Sequence, residues 1–247
     1  MTVQNDTEAP PDAGQWLDHL DDATALAVML DDQAEAANAI RQSLGQIERA
    51  AAAITKRMAE DDTARIIYAG AGASIRIAVQ DGVELLPTFN WPRDRVAYLV
   101  AGGTKALIES VEDAEDDEAA ARRMVDDLTL SANDVVIAIA ASGRTSFTCT
   151  VLSEAIKSGA FAIGLANNPD TPLLNEADIG IPLITGGEAL AGSTRLKAAT
   201  AQRNCLNTIS TLVMTRLDRV RDGKMIAKRS TNAKLRERFP RIHGSDS

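Results

Sequence analysis

The chain has 247 residues, 45% of them hydrophobic, a formal net charge of -9 and a pI near 4.8. That length supports one α/β domain with a sizeable core and some helical additions, and the acidic balance excludes a general polyanion binder, whose affinity rests on Lys and Arg neutralising phosphates. Two cysteines, Cys149 and Cys205, are too few for a disulfide framework; no signal-peptide pattern opens the chain and no stretch stays apolar for about 20 residues, so the expected setting is the reducing cytoplasm, with no membrane and no nucleic acid as partner.

Residues 1–15, rich in Asp, Pro and Thr, read as a mobile tail. Over 18–60 the apolar residues recur at helical spacing: Leu26, Met29 and Leu30, then Ile40, Leu44, Ile47, Ala51, Ile54 and Met58. This predicts two N-terminal helices within a unit spanning 16–60, the second long and alanine-rich. A domain over 61–242 follows, with a short tail at 243–247. Its first strand is predicted at 65–69, then a helix from Ser74 to about Leu85 that Pro87 stops. A second strand at 95–100 leads through Gly102 and Gly103 to a helical segment from about Lys105, interrupted by the acidic stretch 112–118. Strand three falls at 135–140, a helix at 145–158 and strand four at 160–165. Asn167-Asn-Pro-Asp170 is a turn, strand five falls at 179–183, and a long helix runs from about Ser193 to Asp218 before a basic tail. Strands alternating with helices imply right-handed crossovers, hence an α/β fold: a doubly wound, parallel five-stranded sheet sandwiched by helices.

Two segments repeat one design, an apolar strand ending in a loop of small, hydroxyl-bearing residues: Arg65-Ile-Ile-Tyr-Ala-Gly-Ala-Gly-Ala-Ser74 and Asp134-Val-Val-Ile-Ala-Ile-Ala-Ala-Ser-Gly-Arg-Thr-Ser146. In a parallel sheet such a loop enters a helix, whose free N–H groups and positive dipole end favour an anion. Hydroxyls add neutral donors, while Gly70, Gly72 and Gly143 let the backbone come close. A small phosphorylated ligand follows. Isoleucine stands at Ile75, where a dinucleotide fingerprint needs its third glycine, and the Gly-x-x-x-x-Gly-Lys-Ser/Thr nucleotide loop is absent.

The blocks Ala69-Gly-Ala-Gly-Ala-Ser-Ile-Arg76, Pro87-Thr-Phe89, Ala101-Gly-Gly103, Glu109-Ser-Val-Glu-Asp-Ala-Glu-Asp116, Ile139-Ala-Ala-Ser-Gly-Arg-Thr145 and Gly192-Ser-Thr-Arg-Leu-Lys-Ala-Ala-Thr-Ala-Gln202 resemble, in order and spacing, the N-acetylmuramic acid 6-phosphate etherases of the sugar isomerase (SIS) superfamily. Asn167-Asn-Pro169, Asn207-Thr-Ile-Ser-Thr211 and Thr231-Asn-Ala-Lys-Leu235 continue the match, which runs from about Ile47 to Ile242. The chain departs from the family at Ala73-Ser-Ile-Arg76, at Gly82-Val-Glu-Leu-Leu-Pro-Thr88 and at Thr145-Ser-Phe147, and lacks the helical module that many etherases carry after its last residues.

The resemblance implies a carbon–oxygen lyase that removes D-lactate from an amino-sugar phosphate and leaves N-acetylglucosamine 6-phosphate, in the recycling of cell-wall sugar. Glu84 and Glu115 match the family's two catalytic glutamates; Glu84 is assigned to proton abstraction and Glu115 to protonation of the leaving group and activation of water. Ser74, Ser142, Gly143, Thr145 and Ser146 would hold phosphate and sugar, with Lys197 a candidate for either. Blander readings stand beside these: Ser and Thr at helix starts are good N-caps, Arg76 and Arg144 could anchor loops through carboxylate pairs, and a glutamate near a helix end is usually a solvated charge. The only histidines, His19 and His243, lie near the two ends, which disfavours a histidine-based isomerase, and no zinc ligand set or cofactor is expected. A homodimer is expected, the alanine-rich face of 34–58 serving as a packing surface. The competing readings are a non-catalytic sugar-phosphate-binding regulator resembling glucokinase regulatory protein and a sugar-phosphate isomerase.

Overall fold

Five apolar runs dominated by Val, Ile, Leu and Ala form the strands of the computed structural model, which describes residues 6–12 and 14–226. They are β1 (Ile66–Gly70), β2 (Val96–Val100), β3 (Val135–Ile139), β4 (Phe161–Ala166) and β5 (Ile179–Pro182). All pair in parallel, in the order β2-β1-β3-β4-β5. β1 and β3 are buried along their whole length, as parallel strands covered on both faces must be. Alternate residues feed two cores. Tyr68, Ile137 and Ile139 face a layer that includes Ile54, Leu85 and Ile209. Ile67, Ala69, Val136 and Ala138 face one that includes Val125, Phe147 and Val151.

The helices are α1 (Asp22–Ala34), α2 (Ala36–Gln42), α3 (Leu44–Glu60), α4 (Gly72–Phe89), α5 (Glu118–Leu128), α6 (Ser146–Lys157), α7 (Pro172–Glu176) and α8 (Lys197–Arg216). The two helices predicted over 18–60 are thus three. The break before α3 falls at buried Ser43, whose hydroxyl donates to the Pro182 carbonyl at the end of β5, 2.5 Å away. Pro87 does not stop α4: it sits in the last turn on the exposed side of the helix, where one lost N–H bond is tolerated, and the chain turns only at Asn90 with φ 51°. The helix expected from Lys105 is instead two 3-10 turns, Thr104–Leu107 and Ala114–Asp116. Gly102, Gly103 and Asp113 all adopt positive φ there, which a continuous α-helix does not permit. α5 then starts under Asp117, whose carboxylate accepts the Ala120 N–H at 2.8 Å. Neither α7 nor the hairpin of β6 (Val220–Arg221) and β7 (Lys224–Met225) is anticipated by the sequence reading.

The tail expected over 1–15 docks where it is described: Thr7 is buried and bonded to Asn168. The remainder of the predicted 61–242 unit beyond residue 226, with the matching block at 231–235 and the tail at 243–247, lies outside the described residues.

Buried charges tie the layers together. At the amino-terminal end of β3, Asp134 takes Arg65 in a two-pronged grip (Nη2 to Oδ2 2.6 Å, Nε to Oδ1 3.2 Å) and also accepts the Arg65 and Ser131 backbone N–H groups at 2.9 and 2.8 Å. Between α4 and α8, the Asp81 carboxylate accepts from Tyr68 Oη (2.8 Å), Asn207 Nδ2 (2.6 Å) and Ser210 Oγ (2.9 Å). Burial raises the Asp134 carboxyl, but the Arg65 and backbone donors outweigh it and hold it below its ordinary 3.8. A carboxyl lowered by folding stabilises the protein above its unfolded value and loses that contribution as pH falls through the folded one. Urea unfolding from about pH 5 to about pH 3 should therefore show a steeper loss of stability for the native chain than for Asp134→Asn, and parallel slopes would refute this role.

Candidate active site

β1 and β3 lie side by side with Gly70 opposite Ile139. The chain leaves them for opposite faces, since α4 joins one core and α6 the other. At such a reversal of strand order no crossover covers the carboxyl ends, and a crevice opens. The cavity there holds about 470 Å³ and is walled by Ala71–Ser74 after β1 and by Ala140, Ala141, Ser142, Arg144 and Thr145 after β3. Glu115, Asp116, Thr7, Glu8, Gly192 and Thr194 complete the lining.

Backbone shape gives this cavity features that suit an anion. Gly70 lets the loops approach: a Cβ there would sit 2.6 Å from the Ile139 carbonyl oxygen. Gly143, at φ +64°, packs on Thr171 so closely that a Cβ would run into that side chain. Both α4 and α6 begin at the cavity without a side-chain cap, so first-turn N–H groups remain for a ligand. Thr145 precedes α6 but does not cap it; its hydroxyl lies 3.4 Å from that of Ser142, which accepts the Arg144 N–H at 3.2 Å. Of the expected contacts, the structure brings Ser74, Ser142 and Thr145 to the cavity lining, while Gly143 and Ser146 stand behind it in the loop and at the first position of α6.

Arg76 and Arg144 do anchor loops, through carbonyls rather than carboxylates. Arg144 reaches the Asp170 carbonyl at 3.2 Å. Arg76 donates to Ala106 and Glu109 carbonyls, each at 3.0 Å, fastening to α4 the segment that carries Glu115 to the cavity. The sequence reading missed Asn168 as a shaping residue. Its side-chain amide donates to the Ala141 carbonyl at 2.9 Å and to Thr7 Oγ1 at 3.0 Å, and the signals for it were the Asn-Asn pair in a turn and the place of that pair in a block that resembles the family.

Two expected residues stand elsewhere. Lys197 is buried with its ammonium 2.5 Å from Asp32 of α1, and its backbone N–H donates to Glu188 at 2.9 Å. It closes the start of α8 and does not line the cavity. Glu84 is exposed on α4, twelve residues past Gly72, or about 18 Å along the helix axis. Within one chain it does not share the cavity of Glu115. Its neighbours Val83 and Leu86 are 52% and 39% exposed and line a hollow of about 430 Å³ with Trp91 and Tyr98. Burial pushes the Cys149 thiol up to about 11 and the Cys205 thiol up to about 12, so both stay protonated at neutral pH and act as packing groups.

A 2-1-3-4-5 parallel sheet with two helix starts facing a crevice at its switch point is a doubly wound α/β domain. The family model for the glucokinase regulatory protein N-terminal SIS domain matches residues 46–156. The N-acetylmuramic acid 6-phosphate etherase of Deinococcus radiodurans is 42% identical over 226 residues, 92% of this chain and 73% of that protein. That of Edwardsiella ictaluri is 39% identical over 236 residues, 96% and 78% of the two chains. The chain belongs to the N-acetylmuramic acid 6-phosphate etherase family. A Listeria monocytogenes crystal structure provisionally named a sugar-phosphate isomerase shares the fold, with a TM-score of 0.59 at 19% identity over 91% of this chain and 98% of that one.

If the two loops form the anion cradle, Ser142→Ala and Thr145→Ala should each weaken inorganic phosphate binding roughly five-fold, about 1 kcal/mol per hydrogen bond. Calorimetric titration checks this, and undiminished affinity in both variants would place the anion elsewhere.

Proposed function

We propose that the chain is an N-acetylmuramic acid 6-phosphate etherase that eliminates D-lactate and adds water to give N-acetylglucosamine 6-phosphate. The observation that carries the reading is a cavity between two uncapped helix starts with Glu115 in its lining, in a chain about 40% identical to proteins of that name over most of its length. The phosphate sits on the α4 and α6 starts, leaving the opened sugar to extend toward Glu115. The aldehyde acidifies the adjacent C–H, and Glu84 takes that proton. The bond from the next carbon to the lactyl oxygen breaks with its electron pair, and Glu115 protonates the departing oxygen. Glu115, now a carboxylate, takes a proton from water as the hydroxyl adds to the same carbon, and Glu84 returns its proton. Atoms and charges balance without a redox or metal step.

In this reading Glu84 is supplied by a second copy of the chain, so the working unit is a homodimer. Its exposed position between Val83 and Leu86 beside an apolar hollow supports that role, because apolar patches of this kind are usually covered. The setting we infer is the cytoplasm, where cell-wall sugar is recycled. A second reading, a non-catalytic sugar-phosphate regulator, draws on the similarity of residues 46–156 to the regulatory-protein SIS domain.

Incubation with N-acetylmuramic acid 6-phosphate should release stoichiometric D-lactate; binding without release would favour the regulator. Light scattering should give twice 26.2 kDa. Glu84→Gln and Glu115→Gln should each keep sugar-phosphate affinity and lose on the order of 100-fold or more in turnover. Mixing the two inactive variants should restore about a quarter of native activity, because half the re-formed dimers then carry one intact site. No restoration on mixing would mean that both glutamates act within one chain.

A further inference from the structure

The part of the cavity wall formed by Gly192 and Thr194 belongs to a loop of eight residues, 189–196, between Glu188 and the start of α8. Two carboxylates tie its ends together. Glu188, only 1% exposed, accepts the Lys197 N–H at 2.9 Å on one oxygen and the Ala198 N–H at 3.0 Å on the other. Asp32 of α1 accepts the Ala189 N–H at 3.3 Å and the Lys197 ammonium at 2.5 Å. Glu188 is itself one end of the loop and grips the other, while Asp32 grips both. The Lys197 and Asp32 side chains are 8% and 16% exposed, so water competes little for them. Between these ties the chain turns on local bonds, from the Ser193 N–H to the Leu190 carbonyl at 2.9 Å and from the Leu196 N–H to the Ser193 carbonyl at 3.1 Å.

The start of α8 differs in this from those of α4 and α6, which carry no side-chain cap at the cavity. Its first N–H groups are already satisfied by Glu188, whose charge the helix dipole favours. α8 therefore serves the cavity through the loop before it and not through its amide end. Ordering such a loop costs conformational entropy, which charge-assisted bonds at its base offset. Removing either acid leaves buried donors without a partner, so the base opens. We propose that Glu188, Asp32 and Lys197 are positioning residues of this site: by fixing both ends of the 189–196 loop they hold its Gly192–Thr194 tip as a wall against the bound sugar phosphate, without touching the ligand themselves. The inference rests on the sugar-phosphate reading above and gives Lys197 a role at the base of that wall in place of a ligand contact.

Calorimetry with N-acetylglucosamine 6-phosphate, beside lactate-release kinetics, tests this. Glu188→Gln sets an amide N–H against a backbone N–H and keeps only one of the two bonds. It and Asp32→Asn should each weaken the sugar phosphate about ten-fold and raise KM more than they lower kcat. Lys197→Arg, which keeps a cation for Asp32, should stay nearer to native than Lys197→Met. Asp134→Asn, at the opposite ends of the strands, should lose stability at native affinity, as a purely structural loss would. Thr194→Ala should weaken binding by itself. Combined with Glu188→Gln or Asp32→Asn it should lose less than the product of the single effects, since a released tip has less contact left to lose. Native-like affinity and KM in both acid variants overturn the proposal. So do losses that multiply in full with Thr194→Ala, an unchanged Thr194→Ala, or an equal loss of affinity in Asp134→Asn. Should Glu188→Gln fail to fold, the cycle of Asp32→Asn with Thr194→Ala decides. A native chain that binds the sugar phosphate but releases no lactate overturns the lyase reading and leaves the affinity cycle decisive; one that does not bind it overturns both.

Discussion

The pairing of β1 with β3 sets the place of the cavity. Gly70 and Ile139 face each other at the carboxyl ends of the two strands, so close that a Cβ at residue 70 would lie 2.6 Å from the Ile139 carbonyl oxygen, which leaves room for glycine. From that contact the backbone diverges to opposite faces, so the starts of α4 and α6 converge on one crevice while their bodies pack into different cores. The crevice is therefore a product of topology, and the two helix starts give it a positive potential to which hydroxyl side chains add donors.

Across the domain, buried polar groups fix elements relative to one another. Asp81 gathers donors from β1 and α8 onto α4, Arg95 gathers the carbonyls of Met58, Asp61 and Ala64 between α3 and β1, and Lys197 joins α8 to α1. Each buried charge is matched by partners at hydrogen-bond distance, the condition under which such groups rigidify rather than destabilise a core. Asp81 also lies one turn before Glu84. The exposed glutamate thus projects from a helix that is held against β1 and α8 and cannot easily roll.

The architecture was legible because β1, β3 and β4 are uninterrupted apolar runs, and their strands fall within a residue or two of expectation. The two loops were legible for the same reason: small and hydroxyl residues directly follow those runs. What the sequence concealed depends on partners distant along the chain. The break at Ser43 needs the Pro182 carbonyl, and the docking of Thr7 needs Asn168. The fate of Lys197 turns on Asp32, 165 residues away. A basic residue at a helix start reads as a ligand contact until that acid is seen beside it. Likewise, no periodicity says that Glu84 and Glu115 project from regions of one chain that do not meet.

The clasp of Thr7 by Asn168 has a bearing on how the molecule is made. Its two halves are separated by 161 positions, so a segment synthesised before the sheet must wait for β4 and the turn after it before it finds its seat. Closing so long a span is entropically costly for a free chain but cheap once the sheet has formed. The rim of the cavity is therefore a late event of synthesis, and a nascent chain halted before Asn168 would carry a complete first loop with nothing to hold its leading edge.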